Sequence, residues 1–230
     1  MFSFLQFERR APGLSIWRIL IWWGLMLWFL QIALFALYRI KYRGRGQIPR
    51  TGPLLFIANH QSNFDPPIVG VLVKDRPFKG IAKEGLFTSK LFSAYLYGFG
   101  AISIKRGESD VTAIRKAIVE LGAGRCVMMF PEGTRSVDGE VAEFQRGFWL
   151  LMKKSKAKVV PIGLDGAFDA YPIGSKPKLR GRIEIVVGKP IEAEELLELG
   201  EKEGTSFVRN RVIDLQQQCK SNLSSRLKKN

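Results

Sequence analysis

Residues 54–67 read LLFIANHQSNFDPP: an apolar run, a polar turn and a proline-led helix start. His60 is the only histidine in the 230 residues, and Asp65 follows it by five positions. On a continuous helix that spacing would turn the two side chains about 140° apart. They meet only if Gln61, Ser62 and Asn63 form a turn, which these residue types favour. A carboxylate that accepts the proton of one ring nitrogen fixes the tautomer, leaves the other nitrogen as a base and stabilises the imidazolium. Such a base activates a hydroxyl. Asp65 ahead of Pro66 also fits a helix N-cap, and the two roles can share one carboxylate through different oxygens. No G-x-S-x-G elbow occurs, and neither Ser62 nor the two cysteines stand in a nucleophile motif of their own. Direct attack by a substrate alcohol is therefore the leading chemistry.

Three later blocks carry further chemistry. In GAISIKRGES, Lys105 and Arg106 follow an apolar run. A guanidinium fork beside a mobile ammonium suits a phosphate monoester, although basic pairs also mark solvated strand ends. In MMFPEGTRS, Phe130 ends an apolar run, and Pro131 and Gly133 impose a tight turn that brings Glu132, Thr134 and Arg135 to one rim. A bare turn needs only the proline and the glycine, so the charged residues are surplus to it. In VVPIGLDG, Pro161 interrupts a strand and should sit at an edge or a bulge.

NHQSNFD resembles the His-x4-Asp motif of the 1-acyl-glycerol-3-phosphate (lysophosphatidic acid) acyltransferase family, and the three later blocks follow in that family's order. The blocks span His60 to Pro161, and the resemblance covers nearly the whole chain after its amino-terminal segment. It implies transfer of a fatty acyl group from acyl-CoA or acyl-ACP to the sn-2 hydroxyl of 1-acyl-glycerol-3-phosphate, giving phosphatidic acid. It implies His60 and Asp65 as catalytic, and Lys105 and Arg106 on the substrate phosphate. Glu132, Gly133 and Arg135 would form the acceptor site with Thr134 on the same rim, and the Pro161 region would receive the acyl donor. No cofactor is expected beyond the thioester co-substrate, and acyl carrier protein is a further expected partner. One departure stands out: Gln145 occupies a position where the family usually has lysine, with Arg146 beside it. A sibling enzyme for another lysophospholipid or an amino-acid lipid, or a thioesterase using the same base on water, are the alternatives.

The elements that must position these groups read as an α/β layer fold, with a central mixed sheet flanked by helices as the resemblance implies. Strands are expected at Pro53–Ala58, Ala101–Ile104, Cys126–Phe130, Val159–Leu164 and Ile183–Val187. Val111, Ile114, Ala117, Ile118 and Leu121 share one helical face behind Ser109 and Asp110, and Gly122 and Gly124 stop that helix. Val208, Val212, Leu215, Cys219, Leu223 and Leu227 repeat at helical spacing near the carboxyl end. Residues 82–100, rich in Phe87, Leu91, Phe92, Tyr95, Leu96 and Phe99, fit an acyl-chain tunnel or core packing.

Ile19 to Leu37 is a run of nineteen residues without a charge, where a spanning helix needs about twenty. Four tryptophans in and before its first half favour the headgroup level instead, so spanning and shallow burial are both open. Residues 1–43 are thus expected to be a membrane anchor and residues 44–230 the catalytic domain. Basic residues flank both ends of the run with a slight excess after it, which points to a catalytic domain on the cytoplasmic side of a membrane, the bacterial inner membrane by expectation. Lys and Arg outnumber Asp and Glu by 36 to 21, so the partner is anionic. A phospholipid surface satisfies this, whereas nucleic-acid binding would leave the four ordered blocks without purpose. Cys126 and Cys219 have neither zinc spacing nor the density of a disulfide scaffold, so no metal is expected.

Overall fold

The computed structural model describes residues 11–15, 17, 20, 26–73, 75–83, 102–104 and 110–228. Its centre is a seven-stranded sheet formed by β1 (Lys41–Arg43), β2 (Leu54–Ala58), β3 (Phe78–Lys83), β4 (Ile102–Ile104), β5 (Cys126–Met129), β6 (Lys158–Asp165) and β7 (Glu184–Val187). The spatial order is β1-β7-β6-β2-β5-β3-β4. All neighbours run parallel except β6 and β7, so the sheet is mixed. β2, β5 and β6 therefore end at the same edge.

Period-two alternation splits β2 between two cores. Leu54, Phe56 and Ala58 face one layer with Ile68, Val69 and Leu72 of α2 (Asp65–Leu72) and with Leu34 and Tyr38 of α1 (Met26–Tyr38). Leu55 and Ile57 face the other, against Ala117 and Leu121 of α3 (Asp110–Gly122), Phe148 and Met152 of α4 (Arg146–Ser155), and Val208 and Val212 of α6 (Ala193–Lys228). Short α5 (Ala167–Ala170) follows β6 directly. α6 is broken at Gly200, whose φ of 82° is left-handed, and its later half lies across β6. A side chain at Gly163 would collide with the α6 backbone at Leu215 and Gln216, which is why glycine stands there.

Several expectations change on contact with the fold. β6 is an interior strand between β2 and β7, not an edge. Ile162 pairs with Val187, but Val159 pairs with Ile191, so the register slips by one residue between them. The extra residue lies between Val187 and Ile191, and Pro161 faces that bulge, its O accepting Gly188 N–H at 2.9 Å, where a residue that cannot donate is tolerated. β1 and β3 are additional strands, and β1 places residues 41–43 in the sheet beside β7. Of the apolar run Ile19–Leu37, α1 covers the portion from Met26 onward. The part of the run before Met26 lies largely outside the described residues. No helix among the described residues is long and apolar enough to cross a membrane. α1 buries Leu34 and Tyr38 and leaves Trp28, Phe29, Ile32 and Phe35 exposed.

Candidate active site

β2 ends at Ala58, and the next seven residues build the site. Asn59 copies a strand residue with its side chain: Nδ2 donates to Leu164 O at 3.0 Å, and Oδ1 accepts Leu164 N–H at 2.9 Å. The ladder to β6 is thereby prolonged past the strand's end, and His60 is delivered at the sheet edge. Gln61 and Ser62 then turn the chain, and α2 starts at Asp65 itself.

His60 Nδ1 lies 2.8 Å from Asp65 Oδ2. The same oxygen accepts the main-chain N–H groups of Gln61 and Ser62, both at 2.6 Å. The carboxylate thus caps the turn before the helix rather than the helix itself, and ring pairing and capping share one oxygen. Asp65 is wholly buried, and its Oδ1 has no partner among the described residues. Burial pushes its pKa up, opposed by the hydrogen bond and charge of His60 and by the two N–H donors. The His60 side chain keeps 18% of its surface exposed. Its ring stacks on Phe130 with centroids 4.1 Å apart and planes at 19°. With Nδ1 turned to the carboxylate, Nε2 is the nitrogen left for a substrate.

The turn after β5 wraps around the same residue. Gly133, at φ 71°, closes it by donating to Phe130 O at 3.1 Å. Glu132 is buried and points inward: Oε1 accepts His60 N–H at 2.6 Å, and Oε2 accepts Ala142 N–H at 2.9 Å. Burial raises the Glu132 pKa against those two donors. Ser136 N–H donates to His60 O at 2.7 Å, so the main chain of His60 is held at both its donor and its acceptor. Arg135 therefore sits one residue from a direct bond to His60. It is half-buried, with no hydrogen-bond or ion-pair partner among the described residues, while Gly133 and Thr134 are exposed.

Gln61 ties this assembly to the rest. Its Nε2 donates to Gly139 O at 2.7 Å and to Asp165 Oδ1 at 3.1 Å, its Oε1 accepts Phe168 N–H at 3.2 Å, and Gln216 Nε2 reaches the same Gly139 O at 2.6 Å. Ser62 Oγ donates to Tyr171 O at 2.9 Å. Phe64 packs between Tyr38 of α1 and Tyr171. A surface cavity of about 1120 Å³ opens beside Gln61 and extends past Asp165 and Phe168 to Arg39, Lys178 and Arg180.

The structure thus brings His60, Asp65, Glu132 and the Gly133–Arg135 turn into one assembly. Lys105 and Arg106 lie outside the described residues, as do residues 84–101; β4, which precedes the basic pair, ends on the same edge of the sheet. Pro161 is buried within β6, four residues before that strand's end. Arg146 pairs with Glu201 of α6 at 3.2 Å on the outer surface. Phe130, Asn59 and Gln216 are the structural contributors that residue type alone did not single out. The polar pair in ANHQ was the available signal for Asn59.

A family model described as Acyltransferase matches residues 39–165. The chain is 32% identical over 165 residues to "1-acyl-sn-glycerol-3-phosphate acyltransferase LPAT1, chloroplastic" of Arabidopsis thaliana, covering 70% of this chain and 46% of that protein. It is 27% identical over 173 residues to the 1-acyl-sn-glycerol-3-phosphate acyltransferase of Streptococcus pneumoniae, covering 74% and 62%. The crystal structure of the 1-acyl-sn-glycerophosphate (LPA) acyltransferase PlsC from Thermotoga maritima superposes with a TM-score of 0.76 at 25% identity, covering 86% of this chain and 79% of that one. The chain belongs to the acyltransferase family. It spans about half the length of the plant relatives it matches.

Proposed function

We propose that this chain transfers an acyl group from an acyl thioester, acyl-CoA or acyl-ACP, to the sn-2 hydroxyl of a 1-acyl-glycerol-3-phosphate, forming phosphatidic acid for phospholipid synthesis. The observation that carries the reading is the His60 ring, fixed at Nδ1 by Asp65 and on one face by Phe130, with Nε2 left over. Nε2 takes the hydroxyl proton as that oxygen attacks the thioester carbonyl. The carbon–sulfur bond breaks, and the departing thiolate takes the proton back from the imidazolium. General-base help of this kind supplies about 10²–10⁴-fold.

Arg135, without a partner among the described residues and carried on the turn bonded to His60, receives the phosphate end of the acceptor together with Lys105 and Arg106. Gly133 and Thr134 line the same rim. Glu132 serves the acceptor site from beneath, through the main chain of His60. The region of Pro161 receives the donor, and no resident cofactor takes part. The exposed aromatic face of α1 lies in one leaflet of a membrane, with the catalytic domain on the cytoplasmic side.

Purified protein in mixed micelles, given radiolabelled acyl-CoA or acyl-ACP and a panel of lysolipids, tests the reading. Selective acylation of 1-acyl-glycerol-3-phosphate is expected. Preference for another acceptor would reassign the substrate, and acyl release at a matching rate without any acceptor would make the chain a thioesterase.

A further inference from the structure

Residues 171–182, YPIGSKPKLRGR, join α5 to β7 without regular secondary structure. They do not hang free. Tyr38 Oη donates to Lys178 O at 2.7 Å, Gly181 N–H to Leu37 O at 3.1 Å, and Lys178 N–H to Ala170 O at 2.8 Å. Ile183 N–H adds a bond to Tyr38 O at 3.2 Å. Pro172 and Pro177 restrict the backbone further. The segment is a strap laid along the end of α1.

Its exposed side chains mix apolar and cationic groups. Leu179 is 81% exposed and Ile173 43%, and Lys176, Lys178 and Arg180 stand exposed among them, with no carboxylate partner among the described residues. One bare leucine is ordinary on a water-facing surface. Here, however, the strap is hydrogen-bonded to Leu37, itself 43% exposed, on the helix that also bares Phe35 at 66%. Apolar groups from two segments far apart in sequence are thus brought side by side, with cations interleaved. Lys178 and Arg180 also border the cavity that leads to Gln61.

We propose that residues 171–182 form a second membrane-contacting element, in which Leu179 enters the boundary between headgroups and acyl chains while Lys176, Lys178 and Arg180 engage the phosphates of anionic phospholipids. Apolar insertion beside paired cations is the combination that binds an anionic bilayer surface. The proposal rests on the reading of α1 as the lipid-facing helix and adds a second point of attachment. Two lines of contact fix a tilt, which one helix alone leaves free to roll.

The test uses the full chain carrying single added cysteines, Leu179→Cys, Phe35→Cys or Val119→Cys, labelled with an environment-sensitive fluorophore. Cys126 and Cys219 are both buried, so an exposed cysteine labels selectively against the unsubstituted protein as background. The proteins are reconstituted in vesicles of phosphatidylcholine and phosphatidylglycerol with brominated acyl chains, which quench only probes at acyl depth. Quenching is expected at positions 35 and 179 and not at 119 on the outer face of α3. It should fall several-fold at 179 alone when Lys176, Lys178 and Arg180 are changed to Gln, or when phosphatidylglycerol is omitted. Quenching at 35 with none at 179 would leave the strap in water and overturn the proposal while sparing the α1 reading. Silence at both positions would overturn both. Quenching at 179 that ignores the three cations and the lipid charge would overturn the assignment to anionic phospholipid.

Discussion

Glu132 holds His60 by its backbone and not by its ring: Oε1 accepts the His60 N–H at 2.6 Å while Oε2 secures Ala142 at 2.9 Å. An acidic residue three positions before Arg135 would be read from sequence as a partner for that cation. Buried as it is, it instead joins the end of β2 to the loop after β5. Glu132→Gln keeps the volume but offers one acceptor where two N–H groups need one each. Leaving a buried N–H without its bond costs about 1–3 kcal/mol. Lower kcat with little change in the acceptor KM is the expected result in steady-state assays, and a rise confined to KM would show direct contact with substrate.

The same residue gives a pH dependence. Burial raises its pKa in the folded chain above the ordinary carboxylate value, so between the unfolded and folded pKa values the folded state holds a proton that the unfolded state has lost. Stability contributed by Glu132 is therefore complete below about pH 4.3 and declines as pH rises through the folded pKa. Thermal midpoints of the native protein and Glu132→Gln, measured from pH 4 upward, should shift in favour of the variant as pH rises. A difference that stays constant with pH would contradict the assignment.

Removing the imidazole is the sharpest functional test. His60→Ala should lower kcat by about 10²-fold or more, with circular dichroism and thermal midpoint close to native. Asp65→Asn should also lower kcat strongly. An amide oxygen can still accept the two turn N–H groups, but the amide can neither fix the ring as a carboxylate does nor stabilise the imidazolium. Asp65→Asn activity close to native would remove the carboxylate from the mechanism.

Arg135 offers a separable effect. It has no partner among the described residues, so Arg135→Ala should leave the thermal midpoint nearly unchanged and raise the KM for a phosphate-bearing acceptor by about tenfold or more. Arg135→Lys should recover only part of this, because a point charge replaces a bidentate fork. An unchanged KM for Arg135→Ala would exclude the phosphate contact.

The parts of the fold visible in the sequence are those in which local pattern and tertiary role agree. β2, β5 and α3 announce themselves through apolar runs and a single helical face, and the turn between His60 and Asp65 follows from spacing and residue type. β1 and β3 do not. Lys41, Tyr42 and Arg43 show no strand signature, and they become a strand because β7 supplies the pairing. Phe78–Lys83 reads FKGIAK, whose lysines and glycine hide a strand formed against β5. At the site, the ring partner of His60 was legible because it lies close in sequence. Its stacking on Phe130 and its backbone support from Glu132 were not, since both reach across some seventy residues and depend on β2 and β5 lying side by side.

The small aromatic knot of Tyr38, Phe64 and Tyr171 joins the end of α1 to the end of the catalytic turn, just ahead of Asp65. If α1 lies in a lipid layer as proposed, these contacts tie the height of the imidazole to the depth of the helix. A lysolipid diffusing sideways in its own leaflet would then meet the base with its tail still solvated by neighbouring lipids, and the product could drift away without entering water at any step.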